Sequence, residues 1–268
     1  MSDGDVDGAS DTEPDGGAFP GQGFRSPRVD GLNALPATDR RVAIRRLAGA
    51  GREMIEMMSA TAATSEQLNE AAESLERVVA MLRGYTDGND YVGIAELANA
   101  GDLLALQRRL AEAGDPEAFA QFDFSPFIGL ANPMSPPMHM DYADNRVRAE
   151  VTFGSAFEGP PSCVHGGYVA AVFDEVLGAG QSLSGEQGMT ARLTIDYRTP
   201  TPLHEPLVVE AWLDHRDGRK IFVKGSMHAG DRLTAEADGL FIAFDTEKFR
   251  SLLLAREQMN QRRRERRG

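Results

Sequence analysis

From Leu68 through Ala71, Ala72, Leu75, Val78, Val79 and Leu82, apolar residues recur at steps of three and four. That spacing puts them on one face of an α-helix, for which Ser65 is the natural cap. The preceding segment repeats the pattern with Ile44, Leu47, Gly51, Met54, Ile55 and Met58, and a shorter one follows with Leu103, Leu104, Leu106 and Leu110. Methionine at helical spacing fills cores far more often than it marks a functional box. Residues 38–115 therefore read as a helical extension, arranged as an antiparallel hairpin, with a packing or partner role and no chemistry.

After Pro126 the period changes to two. Arg146 to Phe153 and Thr190 to Tyr197 alternate apolar and polar positions, as strands with one apolar face do. Leu207 to Arg216 and Arg219 to His228 are joined by Asp217-Gly218, a strong hairpin signal, and a last strand runs from about Leu233 to Phe244. Strands in series on short turns imply an antiparallel sheet, because parallel neighbours need a crossover. One segment breaks the series: Cys163 to Gly180 is apolar nearly all round and too long for a strand, as a helix buried inside a curled sheet would be.

That helix concentrates the candidate chemistry. Asp174 interrupts its apolar run, and an uncompensated carboxylate there would cost several kcal/mol. Its neighbour Glu175 has the ordinary alternatives of solvent or an arginine partner. At the helix start, His165-Gly166-Gly167 places two residues without side chains where the first turn has unpaired N–H groups and a positive dipole end. Such amides suit a developing oxyanion, although glycines there also serve tight turns or close packing. Gly166 and Asp174 are eight residues apart, roughly 12 Å along a helix axis. One helix cannot easily aim both at one carbonyl, whereas two copies packed antiparallel about a two-fold axis can. A homodimer with two composite sites is the expectation.

Composition narrows the setting. The chain has 268 residues, 41% of them hydrophobic, and a net charge of −13, so it should fold, but it lacks the cationic footprint of a nucleic-acid binder. The longest apolar run, Tyr168 to Phe173, falls far short of the ~20 residues of a membrane helix. The first ten residues carry no basic or hydrophobic export signal. The single cysteine, Cys163, excludes an internal disulfide and fits a reducing cytoplasm. Residues 1–37 carry seven acids, from Asp3 to Asp30, among many glycines, and read as a disordered acidic tail; residues 247–268 end in the basic run QRRRERRG.

Several motifs occur together and in order: Glu158-Gly159-Pro160-Pro161, His165-Gly166-Gly167, Asp174-Glu175-Val176-Leu177-Gly178, Thr190-Ala191-Arg192-Leu193 and Tyr197-Arg198-Thr199-Pro200. With strand, glycine turn, buried helix and antiparallel strands in this sequence, the second half of the chain resembles the hotdog-fold acyl-CoA thioesterases, especially the phenylacetate-type and mammalian Them-type members. The resemblance implies an α+β hotdog fold, an antiparallel β-sheet wrapped around a central helix, at residues 116–246, here with an N-terminal helical extension. It implies hydrolysis of acyl-CoA to free acid and CoA. The Gly166 N–H would hold the thioester carbonyl, and Asp174 of the other protomer would act as nucleophile or general base. Thr190 would position the water or nucleophile, and His165 would shape the turn off the proton path. The implied substrate-binding set is Gly167, Glu175, Arg192 and Arg198. Some relatives carry a polar amide six positions before the histidine; Gly159 stands there in this chain, so that water-holding role has no candidate.

Other schemes fit less well. No Gly-x-Ser-x-Gly elbow occurs, and Ser182 and Ser184 read as helix-termination residues. The five histidines are scattered without His-Glu-x-x-His, so neither a metal nor another cofactor is expected. Gly166-Gly167 lacks the third glycine or lysine of a phosphate loop. A cytoplasmic acyl-CoA hydrolase of fatty-acid metabolism, acting as a homodimer or dimer of dimers, is the leading expectation. The alternatives are a non-catalytic acyl-CoA-binding sensor and a structural module whose helices recruit a protein partner.

Overall fold

The computed structural model describes residues 39–85, 124–136, 138–186 and 188–243, together with Arg262 and Glu265. The Leu103 to Leu110 segment and the acidic tail lie outside the described residues, as does most of the basic C-terminal segment.

Two helices come first, α1 at Asp39–Ser59 and α2 at Ser65–Arg83. The cap of α2 is Thr64, one residue before the expected Ser65. Thr64 accepts the Gln67 N–H while the Gln67 side chain accepts the Thr64 N–H, and this reciprocal pair sets the start one residue earlier. No residue of α2 is buried, and Leu68, Leu75, Val78, Val79 and Leu82 are all exposed. In contrast α1 is docked. Arg52 donates to the carbonyls of Leu130 and Asn132 at 3.0 and 2.9 Å, and a Cβ at Gly51 would sit 3.0 Å from Pro133.

The rest is one sheet around one helix. The strands are β1 His139–Ala143, β2 Arg146–Val151, β3 Gly188–Tyr197, β4 Leu207–Asp217, β5 Lys220–Ala229 and β6 Arg232–Ala243. They pair antiparallel throughout in the order β1-β2-β4-β5-β6-β3. β1 is absent from the sequence reading. Its hairpin to β2 turns on Asp144-Asn145, with φ of 50° and 59°, a weaker signal than the Asp217-Gly218 turn that joins β4 to β5.

Helix α3, Gly166–Gly180, crosses the inner face and buries Val169, Val172, Phe173, Val176 and Leu177. Two glycines let it approach. A Cβ at Gly225 would lie 2.7 Å from Leu177 Cδ1, and one at Gly239 2.9 Å from Leu177 Cδ2. The Leu177 side chain thus seats in a notch between β5 and β6. Past α3 the chain tightens into a 3-10 turn, Gln181–Ser184, where the Ser182 and Ser184 hydroxyls donate to Ala179 and Gln181 carbonyls at 2.6 and 2.7 Å. A single antiparallel sheet curled about a buried helix is the hotdog fold, with α1 and α2 as its N-terminal addition.

Candidate active site

The start of α3 is built from its cap outward. His165 is the N-cap residue, with extended backbone (φ −60°, ψ 131°), and its Nδ1 accepts the Gly167 N–H at 3.0 Å. Its carbonyl accepts the Tyr168 N–H at 2.9 Å and the Val169 N–H at 3.4 Å. Of the first-turn donors, only the Gly166 N–H has no acceptor among the described residues. The geometry therefore separates the two glycines: Gly166 offers a donor, and the donor of Gly167 is committed to the cap. A ring whose Nδ1 accepts a hydrogen bond has its proton on Nε2 and is neutral.

The turn is braced from three sides. Tyr197, at the end of β3, donates its hydroxyl to the Gly166 carbonyl at 2.8 Å. The His165 N–H is fixed by the Phe157 carbonyl at 2.9 Å. Gly159 closes the third side, because a Cβ there would lie 2.7 Å from His165 Cα. The loop and the cap residue are packed backbone to backbone.

Asp174 and Glu175 reverse their expected environments. The Asp174 side chain is exposed at the surface of α3 and Glu175 is half-buried. A nearly all-apolar helix gives no polar face from which to judge which of two adjacent acids points inward within the single chain. Asp174 is nevertheless aimed, since the Thr190 hydroxyl donates to its Oδ1 at 2.8 Å. Thr190 owes its position to a bulge in β3, where the register with β6 shifts between Thr190 and Arg192. Bulges of this kind commonly redirect a side chain beside a functional site.

The structure brings Asp174 together with Thr190, and His165 with Gly166, Gly167 and Tyr197. It does not bring these two groups together within one chain, since α3 separates them by eight residues. Arg192 lies exposed on β3. The Arg198 guanidinium is already engaged, with Glu236 at 2.8 Å and Asp196 at 3.3 Å; the Glu236 hydrogen bond and these two charges raise its pKa further. Tyr197 belongs to one of the sequence motifs but has no role in the sequence reading, because a tyrosine that alternates in a strand carries no sign of what its hydroxyl reaches. Among the described residues no group of three or more His, Cys, Asp or Glu side chains is arranged to hold a metal ion, and no helix is long and apolar enough to cross a membrane.

Around the uncovered half-sites, β3 is the open edge of the sheet. Most of its residues are exposed, with Met189 at 61% and Tyr197 at 56%.

The site thus stands on a curled antiparallel sheet around a helix that starts in His-Gly-Gly and carries an aspartate oriented by Thr190. Residues 162–236 match the thioesterase superfamily. The chain is 39% identical over 97 residues to acyl-coenzyme A thioesterase THEM4 of Bos taurus, a match covering 35% of this chain and 40% of that protein. It is 35% identical over 107 residues to the Xenopus laevis THEM4, covering 39% and 48%. The chain thus spans less than half the length of the curated relatives it matches. Among solved structures, a thioesterase superfamily protein 28% identical superposes with a TM-score of 0.62 and covers 78% of this chain and 97% of its own.

Proposed function

We propose that the chain is an acyl-CoA thioesterase that works as a homodimer with two composite sites. The observation that carries this reading is the division of labour along α3: an open Gly166 N–H at one end and, eight residues on, an exposed Asp174 held by Thr190. Two copies related by a two-fold axis, joined along their open β3 edges, set the Asp174 of one against the glycine turn of the other. The names of the THEM4 relatives support the substrate class.

In this reading the thioester carbonyl oxygen accepts the Gly166 N–H, at the positive end of the α3 dipole. Charge that develops on that oxygen is stabilised there. Asp174, with one oxygen tied to Thr190, uses the other on the carbonyl carbon or on a water. If the carboxylate attacks, the C–S bond breaks, CoA leaves as thiolate and a mixed anhydride forms, which a water then cleaves to free acid and Asp174; if Asp174 takes a proton from water, the hydroxide adds to the carbon, the C–S bond breaks and the proton passes to the CoA sulfur. His165 holds the cap through its Nδ1, which accepts the Gly167 N–H. Residues 116–246 form the catalytic domain and residues 38–115 its helical extension, and the free thiol of Cys163 suits the reducing cytoplasm where fatty acyl-CoA is turned over.

Steady-state hydrolysis of an acyl-CoA panel, read as released thiol, tests the proposal. Asp174→Asn keeps the volume but removes the base or nucleophile, so turnover should be lost with acyl-CoA binding retained. Turnover within about threefold of wild type would remove Asp174 from the mechanism. Wild-type binding without turnover would instead mark a sensor.

A further inference from the structure

Near the end of α1, Glu56 sends its carboxylate to the start of the 3-10 turn Ser155–Phe157. One oxygen accepts the Ser155 N–H at 2.7 Å and the other the Ala156 N–H at 3.1 Å. These are donors that a short turn cannot satisfy for itself, and a carboxylate bonds them more strongly than a neutral acceptor would. Gly154 makes the seat. A Cβ there would overlap the Glu56 carboxylate, although the backbone of Gly154 (φ −89°, ψ −171°) suits any residue. Space, and not conformation, calls for glycine at this position. One helical turn earlier Arg52 holds the loop at Leu130 and Asn132, so α1 grips two loops of the hotdog domain.

From the turn, two short links reach the proposed site. The Phe157 carbonyl accepts the His165 N–H at 2.9 Å, and Gly166 follows directly. The Phe157 ring packs edge-on against Tyr168 in the first turn of α3, with centroids 4.8 Å apart, and against Phe153 at 5.1 Å.

We infer that Glu56 is a positioning residue: α1 is a strap whose carboxylate fixes the 155–157 turn and, through Phe157 and His165, the aim of the Gly166 N–H. The chemistry it serves rests on the thioesterase reading, whereas the strap is a property of the backbone from 155 to 168. A helix outside the hotdog domain then sets the oxyanion donor within it.

Full-length Glu56→Ala and Gly154→Ala test this by two routes, since the second leaves Glu56 in the chain and displaces its carboxylate. Hydrolysis of acyl-CoA is measured alongside hydrogen–deuterium exchange of peptides covering 155–168. Both variants should lose roughly tenfold in kcat with KM nearly unchanged, because a misaimed donor costs transition-state binding more than substrate binding. The double variant should be no worse than the poorer single one, as residues acting through one contact are not additive. Exchange should quicken through 163–168, and Glu56→Gln, which keeps one acceptor oxygen and folds more safely, should recover part of kcat. If the folded variants keep kcat within about twofold and exchange rises only in α1 and 155–157, Glu56 is a tether and the inference is overturned. If wild type hydrolyses no acyl-CoA while 163–168 still respond, the thioesterase reading falls and the strap stands.

Discussion

Thr190 gives Asp174 one hydrogen bond of 2.8 Å from a strand bulge, and that bond decides which carboxylate oxygen faces outward. Thr190→Val keeps shape and strand propensity but removes the donor. It should lower kcat by about tenfold or more with little change in thermal stability, since the site is exposed and the lost bond buries no orphan; parallel kinetics and melting curves would check it. Gly159→Ala should act in the opposite way. Its Cβ would meet the His165 Cα, a backbone atom that cannot swing aside, so a loss of about 1–3 kcal/mol is expected by denaturant titration, with activity falling as the cap shifts. At this scale the sequence is informative where chemistry needs rare residues together, as in His165-Gly166-Gly167. It is silent where partners come from distant segments, as with Tyr197 on Gly166 or Glu56 on Ser155. The exposures of Asp174 and Glu175 escape it for a related reason: two adjacent positions on a helix that is apolar on almost every side differ only by what lies opposite, and that is set by the fold.

Helix α3 and the sheet form one packed unit whose tolerance is set by glycine. Gly225→Ala would drive a methyl into Leu177 and the Glu210 carbonyl, at 2.7 and 2.8 Å. Overpacking of this sort should cost about 1–3 kcal/mol, read as a lower denaturation midpoint. The elements themselves are largely legible in the sequence. Hydrophobic period separates α1 and α2 from the strands, and Asp217-Gly218 marks its hairpin because glycine takes φ of 56° with no Cβ penalty. β1 is not legible: five residues that include His139, Met140 and Asp141 make too short and too mixed a pattern, and its register comes from β2. The α2 stripe is legible as a face, yet none of its residues is buried among the described residues, so periodicity predicts the helix without predicting what covers it.

Across the whole molecule, two outcomes separate a split site from a single-chain one. Mixing Asp174→Asn protomers with Gly166→Pro protomers, which lack the donor N–H, should regenerate one intact site per mixed dimer; each homodimer alone should stay inactive. No recovery after subunit exchange has been verified would place both residues in one chain. Acid should act elsewhere, on the strap. Partial burial works to raise the Glu56 carboxyl, but hydrogen bonds from Ser155 and Ala156 and the charge of His204 outweigh it and hold the group below its ordinary 4.5. A carboxyl with a lower pKa folded than unfolded adds stability above the unfolded value and loses it as pH falls through the folded one. The melting temperatures of wild type and Glu56→Gln should therefore differ near neutrality and converge as pH falls through and below the lowered folded-state value.

The two borders of the sheet are unequal. On one side β1 is five residues long and carries His139 paired with Asp141 at 2.8 Å; on the other β3 is ten residues long and mostly exposed. Short, charged borders resist the addition of further strands, while long open ones invite it. Under the proposed pairing, the inviting border of each copy is consumed by the other and only the resistant ones face outward. Growth then stops at two chains, and the geometry that completes the catalytic pair also protects the protein from open-ended polymerisation into fibres.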